Sequence, residues 1–255
     1  MSVWGKVIGG AAGFALGGPL GAMMGVMAGN IYDKKKKAPL TQQGSLNQQQ
    51  KYQKISSQEK QHIFALSVIT LTAKLAKADG EVTQDEINVF KEKFKIPPEE
   101  EEQVRKIFNE AQKSVYGFEN IAQQVGELFN DSHEVLEEIL NNLFYVAEAD
   151  GKISESELSF LKTVSSIFKF DENTFQRIYQ SRLNDKDSDP YKVLGVKQTD
   201  NEEAIKKAWI KLTKEHHPDN LIAKGMPTEF IDQATKEMSS INSAYHKVIK
   251  QGKIN

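Results

Sequence analysis

From Val7 to Tyr32 the chain carries no charged residue, and this run of 26 residues constrains the fold more than any other feature. About 20 apolar residues suffice to cross a bilayer as a helix, so the run is long enough for one span. Trp4 and Tyr32 flank it where interfacial aromatics sit, and Lys34, Lys35, Lys36 and Lys37 follow at once. Four lysines against a lone Lys6 place the C-terminal side in the cytoplasm and the N-terminus outside. A cleaved signal peptide is the competing reading, but such a peptide has a shorter apolar core and carries its basic residues in front.

Glycine recurs every four residues, at Gly5, Gly9, Gly13, Gly17, Gly21, Gly25 and Gly29. In lipid, small residues at this spacing let two helix backbones approach closely, so Gly9, Gly13, Gly17, Gly21 and Gly25 are the expected contact between two copies. A four-residue repeat drifts by about 40° per step on a helix of 3.6 residues per turn, which favours a right-handed crossing. Pro19 is expected to kink the middle of the span.

Charge divides the rest. Residues 1–57 carry a net charge of +6, residues 58–188 carry -10 and residues 189–255 carry +2. The acidic middle argues against nucleic acid as a partner. With Cys 0, disulfides, iron–sulfur clusters and thiolate zinc sites are excluded. The Gln-rich stretch from Ala38 to Ser57 reads as a flexible tether, and "NDKDSDP" at Asn184 to Pro190 as a shorter break.

Residues 58–183 read as helical almost throughout. "HIFALSVITLTAKLAKA" is a long buried helix, and Val135, Leu136, Ile139, Leu140, Leu143, Phe144 and Ala147 make a stripe of helical period. Pro97 and Pro98, followed by Glu99 to Glu102, mark a helix start with acids at its positive end. Two stretches 71 residues apart, "KADGEVTQDEI" and "EADGKISESEL", share one pattern. Gly80 and Gly151 suit left-handed helix stops. Thr83 with Glu86, and Ser154 with Glu157, suit capping boxes. The same letters match the second half of a calcium loop, but Leu75 and Val146 stand at its first ligand position. A helix–turn–helix corner and a site shared by Asp79, Glu86, Asp150 and Glu157 both remain open. This paired acidic loop in a helical domain resembles the TerB-like fold of tellurite-resistance proteins. The resemblance implies a candidate metal site at these loops.

In the last unit, Asp189 caps a short helix with Pro190 at its first position, and Gly195 follows its end. Thr199 with Glu202 suggests a capping box opening a second helix, with Ile205, Ala208, Trp209 and Leu212 inward and Lys207, Lys211 and Lys214 outward. Pro218 is expected to end that helix. An irregular "NLIAKGMP" follows, and Pro227 opens a third helix with a stripe of Phe230, Ile231, Ala234, Met238, Ile241, Ala244, Tyr245 and Val248. His217, Pro218 and Asp219 then lie at the exposed turn of a helical hairpin. Such a tip offers no water-excluding pocket for acid–base chemistry and no converging metal ligands.

Four separated blocks, Asp189-Pro190-Tyr191-x-x-Leu194-Gly195-Val196, Ile205-Lys206-Lys207-Ala208-Trp209-x-x-Leu212, His217-Pro218-Asp219 and Ile241-Asn242-x-Ala244-Tyr245, resemble the J-domain of DnaJ-type co-chaperones in order and spacing. With the membrane run and the TerB-like middle, the whole chain resembles the DjlA type of membrane-anchored co-chaperone. That resemblance implies that His217, Pro218 and Asp219 contact a DnaK-type ATP-dependent chaperone, with Lys207, Lys211 and Lys214 docking on an acidic surface of it. His216 stands where such domains commonly carry an aromatic residue, and is expected to pack at the helix end.

The expected fold is all-α. It comprises a transmembrane anchor over 1–33, a basic linker over 34–57, a TerB-like bundle over 58–183, a break over 184–188 and a J-domain hairpin over 189–255. The expected role is a stress-related co-chaperone, not an enzyme, with no cofactor. It would sit in a bacterial inner membrane, single-pass, N-terminus periplasmic, as a homodimer through the span. The alternative is a metal- or stress-responsive adaptor worked by the TerB-like domain.

Overall fold

The apolar segment that follows the tether has no polar face, and in a computed structural model of the chain it becomes the helix around which the others pack. The structure describes residues 56–79, 84–113, 117–148, 153–183 and 188–253, with Val3 and Gly21 alone from the first 55. The membrane run, the Gln-rich tether, Gly80, Thr83, Asp150 and Gly151, and the side chains of Asp79 and Glu86, lie outside the described residues. Among the described residues no helix is long and apolar enough to cross a membrane, and no strand occurs.

Helix α1 (Ser57–Asp79) is buried on nearly all sides between Ile63 and Leu75, with Ser67, Thr70 and Thr72 enclosed among its apolar residues. Packed on it are α3 (Glu101–Lys113), α4 (Phe118–Leu128), α5 (His133–Ala147) and α6 (Glu155–Ile167), and the unit is completed by α2 (Gln84–Lys93) and α7 (Glu172–Arg182), the latter on α5. The expected stripe on α5 is buried from Val135 to Ala147. The capping box at α6 forms as read: Ser154 Oγ accepts from the Glu157 amide at 3.2 Å, and the Ser154 amide donates to Glu157 Oε2 at 2.9 Å. Helix α3 starts at Glu101, two residues later than the acidic run suggested, because residues 98–100 form a turn.

The C-terminal unit comprises α8 (Pro190–Val193), α9 (Glu202–Glu215), α10 (Pro218–Ala223) and α11 (Ile231–Val248). Asp189 caps α8 through the Tyr191 amide at 3.0 Å. Gly195 takes φ +67°, a left-handed stop that L side chains rarely adopt.

Two expectations are corrected here. The cap of α9 is Asn201, whose Oδ1 accepts from the Ala204 amide at 2.8 Å, and not Thr199. Asp200 instead accepts from the Lys197 amide at 2.9 Å, closing a turn that absorbs Thr199. Pro218 does not merely end α9: that helix stops at Glu215, and Pro218 opens α10, so part of the "irregular" segment is helical. Proline suits both duties, lacking an N–H that a first helical turn leaves unpaired anyway.

Helix α11 belongs to two cores. Its C-terminal half, with Ile241, Ala244, Tyr245 and Val248, packs on Tyr191, Leu194, Ile205 and Leu212. Its N-terminal residue Ala234, with Leu221, Met226 and Phe230 before it, joins the core built around α1. Phe230 meets Phe64 edge-on at 4.9 Å and Phe94 at 5.2 Å. Gly225 makes the approach possible, because a Cβ there would stand 2.7 Å from Lys60 Cβ on α1.

Candidate functional site

Helix α9 presents Lys207, Lys211 and Lys214 to solvent, as the seven-residue spacing requires. Lys211 is 71 % exposed and pairs loosely with Glu215 at 3.9 Å, an interaction too weak to occupy it. The inner face of α9 is fixed by Trp209, which stacks on Tyr245 at 4.2 Å with rings 4° from parallel. Its indole N–H donates to Asn242 Oδ1 at 2.9 Å. Tyr245 and Asn242 on α11 thereby set the rotation of the lysine face.

At the end of α9 the two histidines part. His217 is the N-cap of α10, its Nδ1 accepting from the Asp219 amide at 3.2 Å, and its side chain is 49 % exposed. The Asp219 carboxylate is 90 % exposed. Trp209, Ile210, Lys214, His217 and Asp219 share one open groove. Ile210 is 51 % exposed, an apolar residue beside charged ones, and sequence periodicity did not single it out. The turn thus offers a solvent-facing edge of charged and polar groups along an open groove.

His216, 1 % exposed, points the other way. Its Nε2 lies 3.0 Å from Glu137 Oε2 and its Nδ1 3.1 Å from Glu138 Oε1, both on α5. Both ring nitrogens face acceptors only, which requires the imidazolium. Burial by itself would push this histidine down, but the hydrogen bonds and charges of the two glutamates hold it up at about 10. Burial would likewise raise Glu137; Arg177 and His216 beside it bring its carboxyl down to about 2. Arg177 pairs with Glu137 and lies 3.7 Å from Glu237 on α11, while Ser181 Oγ donates to Glu237 Oε2 at 2.9 Å. His216 thus packs at the end of α9, as expected, and there makes an ionic bond to the neighbouring domain that was not expected.

Glu137, Glu138, Arg177 and Glu237 were missed as site residues, although the sequence held a signal. Glu138 and Glu237 interrupt apolar stripes at helical spacing, each three residues after a buried position (Val135, Ala234). A carboxylate there must be paired. Among the described residues no group of histidine, aspartate and glutamate is placed to hold a metal.

Three family models match the chain in sequence: Co-chaperone DjlA transmembrane domain over residues 1–49, Tellurite resistance protein TerB over residues 65–180, and DnaJ domain over residues 189–253. Several curated relatives named Co-chaperone protein DjlA match over nearly the whole chain. That of Vibrio cholerae is 29% identical over 284 residues, covering 98% of this chain and 99% of its own. Those of Shewanella oneidensis and Photobacterium profundum are 28% and 26% identical, covering 97% and 98% of this chain and 97% and 99% of their own. No solved structure matches.

Proposed function

Because the chain belongs to the family of DjlA-type J-domain co-chaperones, we propose that His217, Pro218 and Asp219, with Lys207, Lys211 and Lys214, form its contact with a DnaK-type chaperone. As a co-chaperone it recruits that partner and stimulates its ATP hydrolysis. One observation supports these residues most directly. The turn and the lysine face are solvent-exposed, and Lys214, His217 and Asp219 adjoin along one groove. Lysines on an exposed ridge raise the rate of encounter with an acidic surface. The capped, proline-started turn then favours the hydrolysis-competent state of the partner by binding it better than the resting state. The bond broken belongs to the partner's nucleotide.

The membrane match supports anchoring in the inner membrane. The lysines after Tyr32 support a single pass with the N-terminus outside, and the glycine repeat supports a dimer through the span. A dimer would present two J-domains close together and raise their local concentration.

The test is steady-state ATP hydrolysis by the cognate DnaK-type chaperone with the full chain in lipid vesicles. His217→Gln is expected to return the rate to the unstimulated level; retention of more than half the stimulation refutes these roles. A reporter enzyme fused after Asn255 is expected to be active only in its cytoplasmic form, and periplasmic activity would reverse the orientation.

A further inference from the structure

The His-Pro-Asp turn is exposed, but the residues on both sides of it are gripped by the middle domain. Before the turn, His216 sits between Glu137 and Glu138. After it, Asn220 donates to Glu134 Oε1 at 3.5 Å, Lys224 pairs with the same carboxylate, and Leu221 is wholly buried in the core around α1. Glu134, Glu137 and Glu138 stand at i, i+3 and i+4 on α5, so a single helix face takes both flanks. Asn220 also donates to Glu215 O at 2.9 Å, tying the first turn of α10 to the last turn of α9. Three carboxylates (Glu137, Glu138, Glu237) meet two cations (His216, Arg177) in a water-poor seam, so removing either cation leaves buried carboxylates short of a partner.

We infer that His216 is a positioning residue for the stimulatory turn, and that α5 of the middle domain is thereby part of the stimulatory machinery. This rests on the reading of His217 and Asp219 as the partner contact. A turn fastened at both ends meets the partner in one orientation. Released at one end, it samples others, and apparent affinity falls by the fraction of time spent in the competent one. The contact atoms themselves remain, so stimulation at saturation is kept. The middle domain then holds the J-domain's working edge from behind.

The experiment titrates the full chain, in lipid vesicles, against the DnaK-type chaperone and reads the concentration for half-maximal stimulation separately from the plateau. Glu138→Gln and Glu134→Gln are each expected to raise the half-maximal concentration, by on the order of tenfold and a few-fold respectively, with the plateau unchanged. The double variant His216→Gln with Glu138→Gln is expected to shift it no further than His216→Gln alone, because that change already cuts the bond to Glu138. A merely structural role would lower the melting temperature and leave the half-maximal concentration where it was. That outcome in folded protein overturns the inference, as does a plateau that falls with the shift. Should Glu138→Gln not fold, Glu134→Gln decides, since Lys224 opposite it is partly exposed and no core is emptied. His217→Gln runs in parallel: if it retains its plateau, the reading of the turn has failed and not the positioning role.

Discussion

Replacing His216 by alanine is expected to destabilise the folded chain by about 3–5 kcal/mol, although its side chain points away from the exposed turn. The cost comes from what stays behind: Glu137 and Glu138, neighbours on α5, lose the cation they share, and Glu137 keeps only Arg177. His217→Ala, one residue on, removes an exposed cap and is expected to cost about 1 kcal/mol or less. Urea unfolding followed by circular dichroism separates the two, and equal costs would contradict the geometry. The pH dependence carries the same signature. His216 is raised to about 10 from an ordinary value of 6.5, so its contribution is whole below pH 6.5 and is lost as pH rises through about 10. Glu137 is lowered to about 2 from 4.5, so its contribution is whole above pH 4.5 and is lost as pH falls through about 2. The wild type is thus expected to be most stable between pH 4.5 and 6.5 as far as this network decides. The stability difference between it and His216→Ala should shrink from pH 7 to pH 10, and a constant difference across that range would show that the imidazolium is not what the seam binds.

Phe230→Ala is the second large effect, expected at about 3–5 kcal/mol. The ring is fully buried between Phe64 on α1 and Phe94, so truncation leaves a cavity in the place where α11 enters the middle core. Its position matters as much as its size. Phe230 lies in the single turn Thr228–Phe230 that leads into α11, and α11 also carries Glu237 and the Asn242–Trp209 bond. Loosening it is expected to split one cooperative unfolding transition into two, with the C-terminal unit melting first. Ile210→Ala provides the contrast: an exposed side chain on α9 is expected to change stability by less than about 0.5 kcal/mol. A single transition in Phe230→Ala, or a comparable loss in Ile210→Ala, would disprove this account of the seam.

Much of the fold follows from local chemistry. The helices of the middle, the Ser154–Glu157 capping box, the Asp189 cap and the stripe of α11 are short-range matters, decided by side chains three or four residues apart. The lysine ridge was readable for the same reason. The misplacement of the α9 cap from Asn201 to Thr199 was a contest between two local options, since Asn, Ser and Thr all cap well and neighbouring turn bonds choose among them. Helix α10 escaped notice because six residues show too little periodicity to read, and what keeps them helical is Leu221 buried on another domain.

The two histidines mark where sequence stops. By itself the sequence determined that His217-Pro218-Asp219 follows a lysine-lined helix and sits at a turn, because proline, caps and helical period act within a few residues. Only the tertiary structure decided that His216 is an imidazolium held by Glu137 and Glu138, 79 and 78 positions away. A buried charge takes its meaning from whichever opposite charge the fold brings within about 3 Å, and that distance appears nowhere along the chain.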